Sequence, residues 1–297
     1  MIVVTENLTK SYDDKVAVDK VDLTVRAGEI YGFLGPNGAG KTTTLRMLVG
    51  LIEPTSGTAR VLGKAPGDPE ALARIGVLIE SPGFYPYLSG RDNLRVMARY
   101  RRIPDAAVDE ALARVGLADR GEDRFRTYSQ GMKQRLGVGC ALLGNPELLI
   151  LDEPTNGFDP GGMAEMRTLI TDLAADGHTI LLSSHLLAEV QEICDRVGVI
   201  NGGTLIAEST VAEMRGRSTL FVRAEPVQAA VEAIRVAVGD ATPTQTGIRV
   251  EAGPDAAPLI ARAVLDAGAE LHELRSTERS LEEAYFEMTA PDVENVA

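Results

Sequence analysis

Cysteine is scarce, positive charge is in deficit, and long apolar runs are missing. The two cysteines among the 297 residues, Cys140 and Cys194, stand in no metal-binding or redox spacing. That excludes a disulfide-stapled scaffold and fits reduced thiols in a cytosolic protein. Against 43 Asp and Glu there are 30 Lys and Arg, a formal net charge of −13. This balance argues against nucleic acid or an anionic membrane surface as the main partner. No apolar run reaches the ~18 residues that a membrane-spanning helix needs. The opening MIVVTENLTKS has neither a basic n-region nor a long apolar segment, so no signal peptide is expected. A hydrophobic share of 44% is ordinary for a soluble globular protein, and the length suits about two domains.

Strand and helix patterns then divide the chain. Up to about residue 35 the segments are short strands: VAVDKVDLTV alternates apolar and polar residues, and EIYGFLG is a short buried run. A helix runs from Lys41 to near Gly50, EPTSGT is a turn, and ARVLG and RIGVLIE are strands. From Ser89 to Gly144 the helical period dominates, in GRDNLRVMARYRRI, DAAVDEALARVGL and SQGMKQRLGVGCALLG. ELLILDEP returns to a buried strand. A helix near Gly162–Ala175, the strand HTILLSSH, a helix near Leu187–Asp195 and the strand RVGVIN follow. This alternation implies a mostly parallel sheet, with a helical subdomain at about residues 82–146 inserted into it. After about Gly216 the pattern becomes β-α-β-α-β-α, from TLFVRAE to SLEEAYFEMT. Two domains are therefore expected, residues 1–216 and a smaller α+β domain at 217–297. The second carries 7 Arg against 14 Asp and Glu, which reads as a solvated acidic surface.

One motif has a specific chemistry. Gly35, Pro36, Asn37, Gly38, Ala39, Gly40, Lys41, Thr42 and Thr43 spell GPNGAGKTT, which fits G-x-x-x-x-G-K-[ST] between a strand and a helix. One helix-dipole contact with an anion is worth only ~0.3–1 kcal/mol, so a polyphosphate site needs several converging donors. The glycines let successive N–H groups close on the phosphates. Lys41 places a cation at the β/γ end, and Thr42 offers its hydroxyl to Mg²⁺. LLILDEP supplies the next part: a buried strand ends at Asp152, within reach of the Mg²⁺ shell. Glu153 beside it is placed to polarise an attacking water as general base. SSHLLAEV puts His185 just past another strand end on the same sheet edge. A neutral imidazole there hydrogen-bonds a γ-phosphate or the attacking water. His178 and His272 have no such surroundings.

A second helix start is harder to place. In TYSQGMKQRLGVGCALLGNP, Ser129 is a good N-cap, and Gly144, Asn145 and Pro146 are stop signals. Such a start suits an anion, yet the chain already has a better phosphate cradle. Taken in order, GPNGAGKTT, SQGMKQR, LLILDEP, TNGFDP and SSH resemble the ATP-binding subunit of ABC transporters, over residues 1 to about 216. The resemblance implies an α/β P-loop NTPase fold with an antiparallel β subdomain, the inserted helical subdomain, and the small α+β domain appended. In this family two subunits sandwich two ATP molecules head to tail. Ser129, Gln130 and Gly131 then meet the γ-phosphate held by the other subunit's Gly35–Thr43 loop, a half-site that two-fold symmetry completes. Tyr12, in LTKSYDDK, resembles the aromatic residue that stacks on adenine, although a strand tyrosine also packs a core. Asp159, in TNGFDP, resembles the acid that links the two active sites across the homodimer.

Glu80, ending RIGVLIE, stands where most relatives have glutamine. A carboxylate still ligates Mg²⁺, but it adds negative charge beside the phosphates and cannot donate a hydrogen bond. This departure, the Gln130 and Met132-Lys133 flanking Gly131, and ESPGFYPYLSGRDNL resemble one branch. It comprises drug-, antibiotic- and bacteriocin-export or self-immunity ATPases that pair with type-2 permeases; many end in a motif like SLEEAYFEMT. The resemblance implies an ATPase, bound peripherally at the cytoplasmic face of the cell membrane, that powers export by a permease on a separate chain. SPGFYPYLSG and the inserted helices are the expected docking surface. Two other readings compete. A soluble ABC-type ATPase acting on ribosomes or DNA is opposed by the single cassette, the net charge and the lack of a long coiled coil or zinc motif. A regulatory module without turnover is opposed by the presence of both Glu153 and His185.

Overall fold

The most apolar segments of the chain form the centre of one sheet. A computed structural model describes residues 1–80, 82–216, 219–277, 281–283 and 285. The chain divides into two compact units, Met1–Thr210 and Val211–Ala297, each with its own apolar core. Among the described residues no helix is long and apolar enough to cross a membrane.

The first unit opens with β1 (Val3–Tyr12), β2 (Lys15–Val21) and β3 (Thr24–Val25), both of the latter antiparallel to β1. VAVDKVDLTV is thus two strands rather than the single one expected. Lys20 takes φ 47° at an irregularity within β2, and the break follows at Asp22, whose Oδ1 accepts a hydrogen bond from Asn7 N at 2.5 Å. Next come β4 (Ile30–Leu34), α1 (Lys41–Leu48) and β5 (Ser56–Val61). β5 also pairs antiparallel with β1, so it begins inside the expected EPTSGT turn. A short helix α2 (Pro69–Leu72), capped by Asp68, leads into β6 (Ile75–Leu78).

Three helices then intervene before β7 (Leu148–Asp152): α3 (Gly90–Tyr100), α4 (Ala106–Arg114) and α5 (Gln130–Leu142). β6 and β7 are parallel neighbours, so the whole stretch between them is an insertion into the sheet. α5 packs on β6 at backbone distance, because a Cβ on Gly76 would lie 2.1 Å from Ala141 O. Past β7 come α6 (Pro160–Ala175), β8 (Thr179–Ser184), α7 (Leu187–Ile193), β9 (Arg196–Asn201) and β10 (Thr204–Thr210). α6 starts two residues before the expected Gly162, with Pro160 in its first turn, where its fixed φ is helical and its missing N–H costs nothing. α7 ends short of Asp195, whose Oδ2 accepts from Ile30 N at 2.9 Å instead.

The sheet order is β10-β9-β4-β8-β7-β6, with only β10 antiparallel to its neighbour. β4, β7 and β8 are buried at every residue, as parallel strands covered on both faces are. Their register pairs Leu34 with Ser184 and Asp152 with Ser183. Three strands therefore end together, and the residues that follow them share the carboxyl edge where open α/β sheets bind ligands.

The second unit contains α8 (Val211–Arg215), β11 (Thr219–Glu225), α9 (Val227–Val238), β12 (Ala241–Pro243), β13 (Ile248–Val250), α10 (Ala257–Asp266) and β14 (Glu270–Thr277). Its antiparallel sheet runs β12-β13-β11-β14. Two strands stand where the sequence pattern suggests one. Pro243 hides the extra strand, and it is tolerated because β12 is an edge. Ile234 of α9 and Val264 of α10 join Leu220, Val222 and Val250 in the core. Most of SLEEAYFEMT, and Ser81 of ESPGFYPYLSG, lie outside the described residues.

Candidate active site

The loop between β4 and α1 is shaped by its glycines. Gly38 and Gly40 take φ values of 81° and 107°. A Cβ on Gly35 would lie 2.3 Å from Ile200 O, and one on Gly40 2.6 Å from Ala17 O. No larger residue fits at Gly35 or Gly40 without moving backbone. Gly35 N donates to Ser184 O at 3.2 Å, which ties the loop to the end of β8. α1 begins at Lys41, so its first N–H groups have no partner within the helix and face the loop's concavity. The Lys41 side chain folds back under the loop. Nζ donates to Gly35 O at 2.7 Å and Pro36 O at 3.3 Å, and lies 3.1 Å from Glu153 Oε1.

The neighbouring strand ends supply the acids. Thr42 Oγ1 donates to Asp152 Oδ2 at 2.7 Å, and Ser183 Oγ donates to the other oxygen, Oδ1. The Glu153 amide donates in turn to Ser183 Oγ at 3.0 Å. Glu153 has φ 49°, a left-handed conformation that is uncommon outside glycine and that surrounding contacts must hold. Its carboxylate is shared, Oε1 with Lys41 and Oε2 with His185 Nδ1, which donates at 2.7 Å. Thr42 and Asp152 are adjacent hard oxygen donors. Mg²⁺ keeps several waters and takes only one or two protein oxygens beside phosphates, so this pair suits it.

Two cavities adjoin the site. One of about 350 Å³ is lined by Tyr12, Asn37, Gly38, Gly40, Lys41, Thr42, Thr43 and Glu153, among others. Tyr12 is 45% exposed, which removes the core-packing reading. The other, of about 320 Å³, brings Thr42, Glu80, Gln130, Asp152 and Glu153 together. Glu80 has φ 60° and its Oε1 accepts from Arg46 at 2.5 Å, so one of its oxygens is engaged. Ser129, Gly131 and Asp159 line neither cavity. Ser129 Oγ caps α5 by accepting from Met132 N at 3.2 Å, and Asp159 Oδ1 caps α6 by accepting from Gly162 N at 2.8 Å. A Cβ on Gly131 would meet Phe158 at 3.0 Å, so that ring packs on the glycine.

A family model described as ABC transporter matches residues 18–156. The chain is 47% identical over 225 residues to the bacitracin transport ATP-binding protein of Bacillus licheniformis, covering 74% of each. The chain belongs to the ATP-binding proteins of ABC transporters. It is 36% identical to an uncharacterized ABC transporter ATP-binding protein of Bacillus subtilis, which it matches across 98% of its own length and 97% of the relative's. A solved structure of the ATP-binding subunit of an ABC transporter superposes with a TM-score of 0.66 at 29% identity, over 72% of this chain and 92% of that one. As a member of this family the chain is an ATPase that binds ATP and hydrolyses it to drive transport, and subunits of its kind pair with membrane permeases.

Three contributors to this ABC site were given no role by the sequence, although Ser183 and Gln134 lie within the SSH and SQGMKQR segments. Ser183 holds both Asp152 and the Glu153 amide. Gln134 Nε2 reaches Glu153 O at 3.5 Å. Lys15 lines the cavity with Tyr12. Burial gave Ser183 a further signal, since an apolar strand that ends in two buried serines, TILLSS, must give those hydroxyls partners.

Proposed function

We propose that this chain powers a separate permease that exports an antibiotic, drug or peptide. The observation that carries the hydrolytic part is the Glu153 carboxylate, bridged between Lys41 and His185 beside the Thr42–Asp152 pair. In this reading Gly35–Thr43 cradle the phosphates, and the exposed face of Tyr12 takes the adenine. Thr42 and Asp152 would hold Mg²⁺, and Glu80 across the same cavity would meet its shell. The ion, when bound there, would screen phosphate charge. Lys41 exchanges Glu153 Oε1 for a phosphate oxygen, which frees that oxygen to accept a proton from water. His185 holds Oε2 and so fixes the direction of the free oxygen. Ser129, Gly131 and Asp159 act across a homodimer, since none of them lines a cavity with its own chain's loop, and Gln130, which borders the cavity holding Thr42, joins them at its edge. The substrate class rests on the likeness to the bacitracin transport protein. The second unit is an accessory domain, and the subunit sits peripherally on the cytoplasmic face through its permease.

Reconstitution of the full chain with a candidate permease in vesicles tests this reading. Hydrolysis should rise with the permease, and labelled peptide antibiotic should move only with intact Lys41. Hydrolysis that no candidate permease alters, with no ATP-dependent movement of the antibiotic, favours a soluble ATPase instead.

A further inference from the structure

Below the His185 turn lies a carboxyl group that the reading above does not use. Glu189, on α7, is 1% exposed. Its Oε2 accepts from Ser184 Oγ at 2.5 Å, and the same hydroxyl accepts from Leu186 N at 3.0 Å. One serine hydroxyl thus clamps both sides of His185, and that hydroxyl rests on Glu189. The other oxygen, Oε1, has no hydrogen-bond partner among the described residues, and the buried Thr155 hydroxyl acts on the carboxyl group. Thr155 belongs to the turn after Glu153, where Asn156 N donates to Glu153 O at 3.0 Å. Glu189 therefore sits between the turn that carries His185 and the turn that carries Glu153.

We propose that Glu189 is a positioning residue for ATP hydrolysis, holding the Ser184–His185–Leu186 turn so that the imidazole stays on Glu153. Burial raises its carboxyl above the usual range, with the nearby Glu153 charge adding to the rise. An ordinary buried structural acid would support the fold alike with or without nucleotide, and its loss would lower stability and every activity together. A positioning role separates these effects, because the phosphate loop is built from other residues.

The proposal rests on Glu153 and His185 as the hydrolytic pair, so the experiment uses Glu153→Gln as a reference. Hydrolysis, ATP binding and melting temperature are measured on the full chain as wild type, Glu189→Ala, Glu189→Gln, Ser184→Ala and the Glu189→Ala/Ser184→Ala double variant. Glu189→Ala and Ser184→Ala should each lower kcat about 10–100-fold, the range seen when a partner that orients a functional imidazole is lost. KM and ATP binding should stay within about twofold, since uniform binding is untouched. Glu189→Gln should restore most of kcat, because its carboxamide oxygen keeps an acceptor for Ser184. The double variant should be no slower than either single one, as for two parts of one contact. Unchanged kcat in Ser184→Ala and Glu189→Ala overturns the proposal. So does a Glu189→Gln as slow as Glu189→Ala, or a parallel fall in kcat, binding and melting temperature. If Glu189→Ala does not fold, Ser184→Ala and Glu189→Gln decide alone. Normal hydrolysis by Glu153→Gln instead removes the reading of Glu153, a different result from a failure at Glu189.

Discussion

Glu153→Gln should bind ATP more tightly while hardly turning it over. The Lys41 side chain is 5% exposed and that of Glu153 19%, so their pair is little screened. At 3.1 Å, two unit charges attract by about 5 kcal/mol at an effective dielectric near 20, an upper bound on the gross term. Lys41 keeps two carbonyl acceptors and Glu153 keeps His185, so the exchangeable part is closer to one charge-assisted hydrogen bond, ~1.5–3 kcal/mol. A phosphate oxygen at the loop needs the same ammonium and competes with the carboxylate for it. Glutamine retains one acceptor oxygen and the size, so it recovers part of the contact without the charge. About 1.4 kcal/mol of net competition removed means roughly tenfold tighter ATP. Loss of a general base lowers kcat by ~10²–10⁴-fold. Calorimetric titration reads the affinity, and phosphate release reads kcat. Size-exclusion chromatography with ATP and Mg²⁺ should show an accumulated dimer, because turnover no longer separates the subunits. Affinity equal to or weaker than wild type would show that Lys41 and Glu153 are not in competition. A monomer with normal hydrolysis would remove Glu153 from the mechanism altogether.

Three further outcomes are expected. Lys41→Ala and Ser129→Arg should each be inactive alone, while mixed dimers regain one intact site; full activity of Ser129→Arg alone would refute a site shared between copies. Glu80→Gln should leave ATP affinity of the isolated subunit nearly unchanged, since its exposed pair with Arg46 is worth under ~1 kcal/mol. Stimulation of hydrolysis by a permease should change more, and a large affinity loss with coupling intact would overturn that assignment. Both thiols should resist alkylation at mildly alkaline pH until the chain is denatured. Burial pushes Cys140 up to about 11 and raises Cys194 as well, with Glu189 and Asp195 adding to the latter; each stays protonated below its raised value, and rapid labelling of the native chain would contradict this.

The parts of the site legible in the sequence are those whose geometry is local. Glycines at Gly38 and Gly40 announce a backbone with positive φ, and an apolar run that stops at an acid announces a strand end. The lost parts depend on register. Asp152 meets Ser183 because β7 and β8 pair in parallel with those residues opposite, and no pattern within either strand encodes that match. Local patterns also misled where one residue overrode a period. Asp22 breaks an alternating run into two strands, and Pro243 conceals a strand that is allowed only because it lies at an edge.

Glu153 shows why the chemistry was harder to read than the fold. Its neighbours in the sequence mark a strand end and an acid pair, which is enough to suggest a base. They say nothing of its left-handed backbone, which turns the carboxylate away from the line of β7. That turn sets one oxygen against Lys41, 112 positions earlier, and the other against His185, 32 positions later. Glycine would adopt the same backbone without strain but would have no carboxylate to share. A non-glycine residue held in this conformation by Ser183 and Gln134 is the kind of local cost that persists where a side chain's direction matters. The aim of the Glu153 carboxylate, more than its presence, is what connects the phosphate loop to the His185 turn.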